Sequence, residues 1–329
     1  MKIAIVTNFF TNKNTGIPIF IRDLSETFEE KNHTVSIISA ESLPQKKIEN
    51  LELEVGEQFN KINKKENYDL VICNGEMGYA VKHPHAINVF HGNYYGYALS
   101  TQGLVSPEIT NLRFERAKIQ RDSAEGKYVV TVSNFAIEGL ENSGIKVNEV
   151  INNTADSNIF CPKEISPSNH AIYTARGKNN YYEKGFDILE KLAGLGIRLR
   201  LFSDVEIDSN NVENKFFIKN KELAKEYNQA QVLLQPTRFE GGSLITLEAM
   251  ACGCPVLTTM VGYGPDIKKE IPEFVVDLNN SKYLGEFLEK YNTIIQNRED
   301  FSKQALEYFN ENHSLETFKS KWISLIERI

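Results

Sequence analysis

The chain has 329 residues, of which 41% are hydrophobic and 25% are charged, with a formal net charge of −7. This composition is typical of a globular protein and excludes a disordered, collagen-like or disulfide-stabilised chain, and the length suits two domains of roughly 150 residues each. A protein that binds a phosphate backbone would carry a basic surplus, so the acidic balance argues against nucleic acid as the main partner.

The first half of the chain alternates predicted strands and helices. It opens with a continuous β-branched apolar run, Lys2–Phe9, which predicts a fully buried strand, and a helical stretch follows over Ile17–Glu30. Four more short apolar runs lie between polar or helical segments: Thr34–Ser39, Tyr68–Cys73, Ala86–His91 and Tyr128–Ser133. Parallel strands joined by crossover helices are the economical interpretation.

The second half repeats this pattern after Phe160–Asn169, a segment with two prolines and two serines that predicts a linker. Strands are predicted over His170–Arg176, Arg198–Ser203, Lys215–Lys219, Val232–Pro236 and Pro255–Thr259. Helices are predicted over Phe186–Leu195, Glu222–Ala230, Ser243–Ala251 and the amphipathic Leu315–Ile329. We therefore predict an α/β fold of two Rossmann-like, doubly wound domains, residues 1–165 and 166–310, that bind ligands at the carboxyl ends of their strands.

Two carboxylates and two glycines follow the predicted strand Val232–Pro236. Glu240 and Glu248 are eight positions apart, about 2.2 helical turns, so both can face similar sides of a helix. Gly241 and Gly242 leave backbone N–H groups free beside the helix N-terminus, which favours an anion. Carboxylates for sugar hydroxyls beside amides for phosphate indicate a nucleotide-sugar pocket. The alternative is two ordinary helix glutamates, one of them a cap.

The same segment resembles the E-x7-E signature of the retaining family 4 glycosyltransferases, which have the GT-B fold of two Rossmann-like domains facing across a cleft. The residues in register are Glu240, Gly241, Leu244, Leu247, Glu248, Ala249, Met250, Ala251, Gly253, Pro255 and Val256. The resemblance implies that Glu240 contacts the hydroxyls of the donor sugar and Glu248 the ribose, with Gly241, Gly242, Ser243 and Leu244 beside the donor. Gly242 and Ser243 replace a common Phe-Gly, which leaves the donor sugar open.

Candidate cations follow the predicted strand His170–Arg176. A departing diphosphate gains negative charge, and fixed cations can stabilise it in place of a metal. Lys184 begins the sequence KGFDIL, which is similar to the sequence that follows the phosphate-binding lysine in this family. Arg176 takes the place of the family's arginine, although the segment between it and Lys184 is longer than is usual in the family. Lys178 is a rival to Arg176. The alternative for Lys184 and Arg176 is that they are solvated cations of a loop.

Two candidates lie in the first half. Gly16 resembles the family's glycine turn beside the diphosphate, although the family often has a glycine pair, and a plain turn is the alternative. His91 ends the predicted strand Ala86–His91 and is followed by glycine. A histidine there is often only a structural hydrogen-bonding group, whereas the resemblance implies a contact with the donor sugar.

The resemblance implies a metal-independent, retaining transfer of a hexose or N-acetylhexosamine from a UDP-sugar to a glycan, glycolipid or protein acceptor, as in polysaccharide biosynthesis. The chain lacks the D-x-D metal signature, and we expect no cofactor. Residues 1–165 would hold the acceptor and 166–310 the donor, with a C-terminal helix, 311–329, packing back on the first domain. The alternatives are a nucleotide-sugar epimerase, a sugar phosphorylase, or a non-catalytic partner of a transferase.

Localisation is predicted from what the sequence lacks. No apolar run reaches 18 residues, the N-terminus has no small-residue cleavage site, and the four cysteines show no disulfide or zinc spacing, which together predict a cytoplasmic protein. A cationic stretch could touch anionic lipid at the inner membrane face, or could form a solvated helix with its interleaved acids. Its cations are Arg113, Arg116, Lys118, Arg121 and Lys127.

Overall fold

The computed structural model describes residues 1–8, 10, 16–43 and 50–329. The chain forms two compact units. The first consists of Met1–Asn153 together with Phe318–Ile329, and the second is Thr154–Thr317. Each unit contains one six-stranded parallel sheet with helices between its strands, which confirms the predicted α/β class of two doubly wound sheets.

The first unit has the strand order β2-β1-β3-β4-β5-β6, with every pairing parallel. Its strands are β1 (Lys2–Thr7), β2 (Thr34–Ser39), β3 (Leu70–Asn74), β4 (Ala86–Phe90), β5 (Tyr128–Thr131) and β6 (Glu149–Val150). Its helices between the strands are α1 (Gly16–Glu29), α2 (Leu51–Glu66), α3 (Tyr94–Ser100), α4 (Pro107–Ala124) and α5 (Phe135–Asn142). The strands β1, β3 and β4 are almost wholly buried, as their largely apolar sequences predict for a parallel sheet that is covered on both faces.

The second unit has the strand order β12-β11-β10-β7-β8-β9, again wholly parallel. Its strands are β7 (Ala171–Ala175), β8 (Leu199–Ser203), β9 (Val212–Lys215), β10 (Leu233–Leu234), β11 (Val256–Thr259) and β12 (Val275–Val276). Its helices are α6 (Phe186–Gly194), α7 (Asn220–Gln229), α8 (Leu244–Ala251), α9 (Gly264–Glu270), α10 (Tyr283–Gln296) and α11 (Arg298–His313).

The last helix, α12 (Leu315–Ile326), starts in the second unit and ends in the first. Phe318 and Trp322 are 2% and 0% exposed, and both rings meet Phe20 of α1 at centroid distances of 6.0 Å. The indole of Trp322 also meets Phe28 edge-on at 6.4 Å. The helix is therefore part of the core of the first unit.

Strand order in each sheet reverses at one point, and this positions the candidate sites. In the second unit the chain moves outward from β7 to β8 and β9 on one side, and β10 pairs with the other side of β7. The loops that follow β7 and β10 therefore lie side by side at this switch point of the sheet, which is where ligands of doubly wound folds bind. Within the described ranges, no helix combines the length and apolarity needed to span a bilayer.

Candidate active site

The loops after β7 and β10 bring together two of the predicted residues. Nζ of Lys184, just before α6, lies 2.7 Å from Oε2 of Glu240, just before α8. The lysine side chain is 28% exposed and the carboxylate 23%, so the pair is partly withdrawn from water but accessible. The site thus holds a cation beside a carboxylate at the switch point of the sheet.

Glycine at position 185 allows these loops to meet. Gly185 has a φ of +72°, and a Cβ atom there would lie 2.0 Å from the carbonyl oxygen of Pro236. The hydroxyl of Thr237 also donates to the carbonyl of Glu183 at 2.8 Å. In the Lys184-Gly185 sequence, the lysine thus provides the charge and the glycine allows the two backbones to approach closely.

The other two predicted cations, Arg176 and Lys178, lie in the same loop as Lys184 and are exposed. Arg176 is exposed directly after β7, and its guanidinium carbon lies 5.2 Å from the ring centroid of Phe217. Lys178 is exposed, and its backbone N–H donates to Asp204 at 3.3 Å. In the part of the chain that the structure describes, neither side chain forms an ion pair, so both cations are available to an anion.

A buried polar network fixes the N-terminus of α8. Ser243 is the N-cap, and its hydroxyl accepts from the N–H of Thr246 at 3.3 Å and from Nε2 of Gln235 at 2.7 Å. Gln235, 2% exposed, also accepts from the Thr246 hydroxyl through Oε1. Serine at the place where the resembled family has glycine thus caps the helix that follows Gly242.

Glu248 has a different environment from Glu240. It is 8% exposed and accepts a long 3.4 Å hydrogen bond from the hydroxyl of Tyr227 on α7. Burial raises the pKa of its carboxyl to about 7, against the opposing effect of the tyrosine hydrogen bond. The structure thus places the second carboxylate in an apolar setting against α7.

In the first unit, His91 directly follows β4. Its ring packs edge-on against Phe20 at 4.6 Å, and its Nε2 atom is buried with no hydrogen-bond partner among the described residues. Burial lowers the pKa of His91 to about 4, so the ring is neutral at pH 7. Gly16 is exposed at the start of α1, and the turn before it lies outside the described residues.

Four of the five cations of the cationic stretch lie on α4, and each of the four has a partner within the first unit, whereas Lys127 lies beyond the end of this helix. Arg113 is 8% exposed, donates to Thr101 and lies 3.6 Å from the ring centroid of Tyr97. Arg116 pairs with Glu52 at 2.5 Å. Its exposed members Lys118 and Arg121 pair with Glu115 and Asp122. Among the described residues, no group of three or more His, Cys, Asp or Glu side chains is arranged to hold a metal ion.

Two charged residues near the site, Arg238 and Asp187, were not predicted from the sequence. They form a double hydrogen bond across 51 positions of the chain. Arg238 lies in the loop of Glu240, and Asp187 lies in the first turn of α6, three residues after Lys184. Asp187 is the fourth residue of KGFDIL, and Arg238 lies two residues before Glu240, but the sequence around each residue does not show that they pair.

The comparisons with known proteins agree with this architecture. Residues 192–297 match the family model of "Glycosyl transferases group 1", a range that includes Glu240 and Glu248 but not Lys184. A sucrose-phosphate synthase from Thermosynechococcus elongatus aligns with a TM-score of 0.78 at 16% identity, covering 99% of this chain and 98% of that one. The fold is GT-B.

Two curated relatives match part of the GT-B chain. A probable sucrose-phosphate synthase of Thermosipho melanesiensis is 26% identical over 52% of this chain and 41% of its own length. An uncharacterized glycosyltransferase of Methanocaldococcus jannaschii is 26% identical over 67% of this chain and 63% of its own length. The matches thus span less than two thirds of either relative. Together the comparisons support a glycosyltransferase, and the assignment to family 4 remains a prediction.

Proposed function

We propose that this protein is a metal-independent, retaining glycosyltransferase that moves a hexose or N-acetylhexosamine from a UDP-sugar to a hydroxyl of a glycan, glycolipid or protein. The observation that carries the proposal is the Lys184–Glu240 pair, 2.7 Å apart and partly exposed beside the N-terminus of α8. A cation for phosphate next to a carboxylate for hydroxyl groups is the chemistry that a nucleotide-sugar needs. The family match and the GT-B fold support the class, and the resemblance supports the donor and the retention.

In the proposed reaction, the bond between the sugar C1 and the β-phosphate oxygen breaks, and a bond from the acceptor oxygen to C1 forms on the same face. The proton of the acceptor passes to the departing phosphate oxygen. Lys184 and Arg176 stabilise the negative charge that grows on the diphosphate, and Glu240 orients the sugar through its hydroxyls. His91, neutral because burial lowers its pKa, is assigned to a sugar hydroxyl as a hydrogen-bonding group and not as a cation.

Binding of the donor has to replace the Lys184–Glu240 ion pair. A diphosphate takes the ammonium group, and sugar hydroxyls then donate to the carboxylate that has lost its cation. A nucleotide diphosphate without a sugar satisfies only the lysine and leaves a half-buried carboxylate without a partner, which is unfavourable. We therefore expect Glu240→Gln to strengthen binding of UDP relative to binding of the UDP-sugar.

The donor class is tested by thermal shift with UDP-, GDP- and ADP-sugars, each with and without Mg²⁺. A UDP-sugar should raise the melting temperature, because a ligand that binds only to the folded state stabilises it. The rise should be equal with and without Mg²⁺, because the proposed site binds the diphosphate through side chains and not through a metal. Product formation with a hydroxyl acceptor is then followed by NMR, which also reports the anomeric configuration. A shift that requires Mg²⁺, or an inverted product, contradicts the proposal.

The rival activities give different products. An epimerase or a hydrolase-like reaction would convert the UDP-sugar without an acceptor, and a phosphorylase would require inorganic phosphate. We propose that acceptor-free incubation leaves the donor unchanged over the time in which transfer is complete. The proposal also places the acceptor on the first unit and the enzyme in the cytoplasm, and a pull-down with vesicles of anionic lipid would test peripheral contact.

A further inference from the structure

An arginine–carboxylate pair joins the loop after β10 to the first turn of α6. Nη1 of Arg238 donates to Oδ1 of Asp187 at 2.7 Å, and Nη2 donates to Oδ2 at 2.8 Å. Each side chain is only 18% exposed, so the fork is largely shielded from water. A bidentate pair of this kind fixes orientation as well as distance, because two parallel hydrogen bonds prevent rotation.

The same arginine also binds the backbone before Lys184. Nη1 donates to the carbonyl of Tyr182 at 2.6 Å, and the N–H of Arg238 donates to the carbonyl of Glu183 at 2.7 Å. Arg238 thus contacts the chain on both sides of Lys184 while it lies two residues before Glu240.

We propose that Arg238 and Asp187 are positioning residues that set the geometry of Lys184 against Glu240. This inference rests on the proposed function, in which those two side chains bind the diphosphate and the sugar. Neither member of the clamp, as we call the Arg238–Asp187 pair, needs to touch the donor. Misplacing a binding group by about 1 Å can cost about 10²-fold in rate, so the clamp would act on turnover through loop position alone.

A purely structural ion pair would predict something different. Its loss would lower stability but leave the kinetic constants of the folded enzyme unchanged. Arg200 is the matched control, because it also bonds to carboxylates at 2.6 Å, those of Glu213 and Glu226, and is 23% exposed. It lies on β8 and is outside the proposed site.

The first experiment measures the loops without any ligand. Amide hydrogen exchange is compared between the wild-type protein, Arg238→Gln, Asp187→Asn and Arg200→Gln. We expect exchange in peptides covering 180–187 and 236–243 to become at least about tenfold faster in the two clamp variants and to stay unchanged in Arg200→Gln. Unchanged exchange in these peptides in Arg238→Gln overturns the proposal.

The second experiment measures turnover with the UDP-sugar. Arg238→Gln and Arg238→Lys should lower kcat/KM by about 10- to 100-fold, mostly in kcat, while their melting temperatures fall no further than that of Arg200→Gln. The double variant Arg238→Gln/Asp187→Asn should lose no more than the worse single variant, because both act through one contact. Wild-type kcat in Arg238→Gln overturns the proposal.

The two experiments separate failure of this inference from failure of the proposed function. If the wild-type protein neither binds nor turns over any nucleotide-sugar, the proposed function is wrong, and the exchange comparison still decides whether the clamp holds the loop of Lys184. If the wild-type protein is active and the clamp variants are equally active, only the clamp is wrong.

Discussion

Lys178 and Lys184 lie in one loop, yet their surroundings differ. Lys178 is exposed, whereas the ammonium of Lys184 is held 2.7 Å from Glu240. An ammonium fixed by a partner is positioned before the substrate arrives, and a solvated lysine must lose side-chain freedom to bind. Position, not residue type, distinguishes the proposed phosphate ligand from its neighbour.

Replacing Lys184 tests this distinction. We expect Lys184→Ala to lower kcat/KM for the UDP-sugar by at least about 10²-fold, since one fixed charge on a developing anion is worth that much. Lys178→Ala, the matched control in the same loop, should change it less than about threefold. Steady-state kinetics of both variants make the comparison, and equal losses would place the cation elsewhere.

The carboxyl group of Glu248 makes stability depend on pH. Its folded-state pKa of about 7 lies above the ordinary value of 4.5, so the folded protein binds a proton that the unfolded chain releases. Stability from this group is present below pH 4.5 and is lost as the pH rises to 7, by about 3 kcal/mol in all.

Glu248→Gln should therefore be more stable than the wild-type protein at pH 8, with the advantage shrinking toward pH 4.5. Urea unfolding at several pH values measures this difference. Tyr227→Phe removes the hydrogen bond that lowers the pKa, so its loss of stability should extend to higher pH. A difference between Glu248→Gln and wild type that does not vary with pH would contradict the assignment.

At the scale of elements, the start of α6 depends on one backbone conformation. Gly185 is left-handed and meets the carbonyl of Pro236, whereas Gly194 at the end of α6 has no atom near its Cβ position. We expect Gly185→Ala to lower the free energy of unfolding by at least about 2 kcal/mol, from the left-handed strain and the clash together. Gly194→Ala should be neutral or slightly stabilising. Urea denaturation of both variants is the test, and equal effects would show that the loops do not meet there.

The central strands could be predicted from the sequence because a buried parallel strand is an unbroken apolar run. β2 was predicted to the residue, and β1 and β7 to within two residues at each end. The prediction of a strand over Lys215–Lys219 was wrong. The strand is Val212–Lys215, and Phe216 beyond it is 73% exposed, because an edge strand carries polar residues and its apolar neighbours need not be buried.

Other elements were predicted only in part or not at all, because their sequence pattern is weak. A solvated helix was one of two interpretations of the cationic stretch, and most of that stretch is the helix α4, although Arg113 is buried there. α4 carries charges around its whole circumference, and its buried side chains include Arg113 and Gln120 rather than an apolar stripe. The short strands β6 and β12 have two residues each, too few for a periodic signal. Within the site, Lys184 and Glu240 could be predicted because each belongs to a recognisable local sequence motif. The clamp could not, because it depends on a contact between residues 51 positions apart.

At the scale of the whole molecule, the first unit is discontinuous in sequence. Its core contains Phe20 and Phe28 of α1 together with Phe318 and Trp322 of α12, which follow the entire second unit. The C-terminal helix therefore stabilises a unit whose other residues end at Asn153.

Trp322→Ala should lower the free energy of unfolding of the first unit by about 3–5 kcal/mol, since it removes a large side chain from a closed core. Arg328→Ala is the control in the same segment. Its side chain is 56% exposed and pairs with Glu149, so a change below about 1 kcal/mol is expected. Denaturation followed by circular dichroism compares them, and a tryptophan variant as stable as the control would remove α12 from the core.

The split first unit also constrains the order of events during synthesis. As the chain leaves the ribosome, residues up to Asn153 emerge first, but the aromatic residues that close their core arrive only after another 164 residues, Thr154–Thr317. Domains usually fold in order from the N-terminus during translation. Here the later unit is available in full while the earlier one still has an open hydrophobic face, which is where a chaperone would be expected to bind the nascent chain.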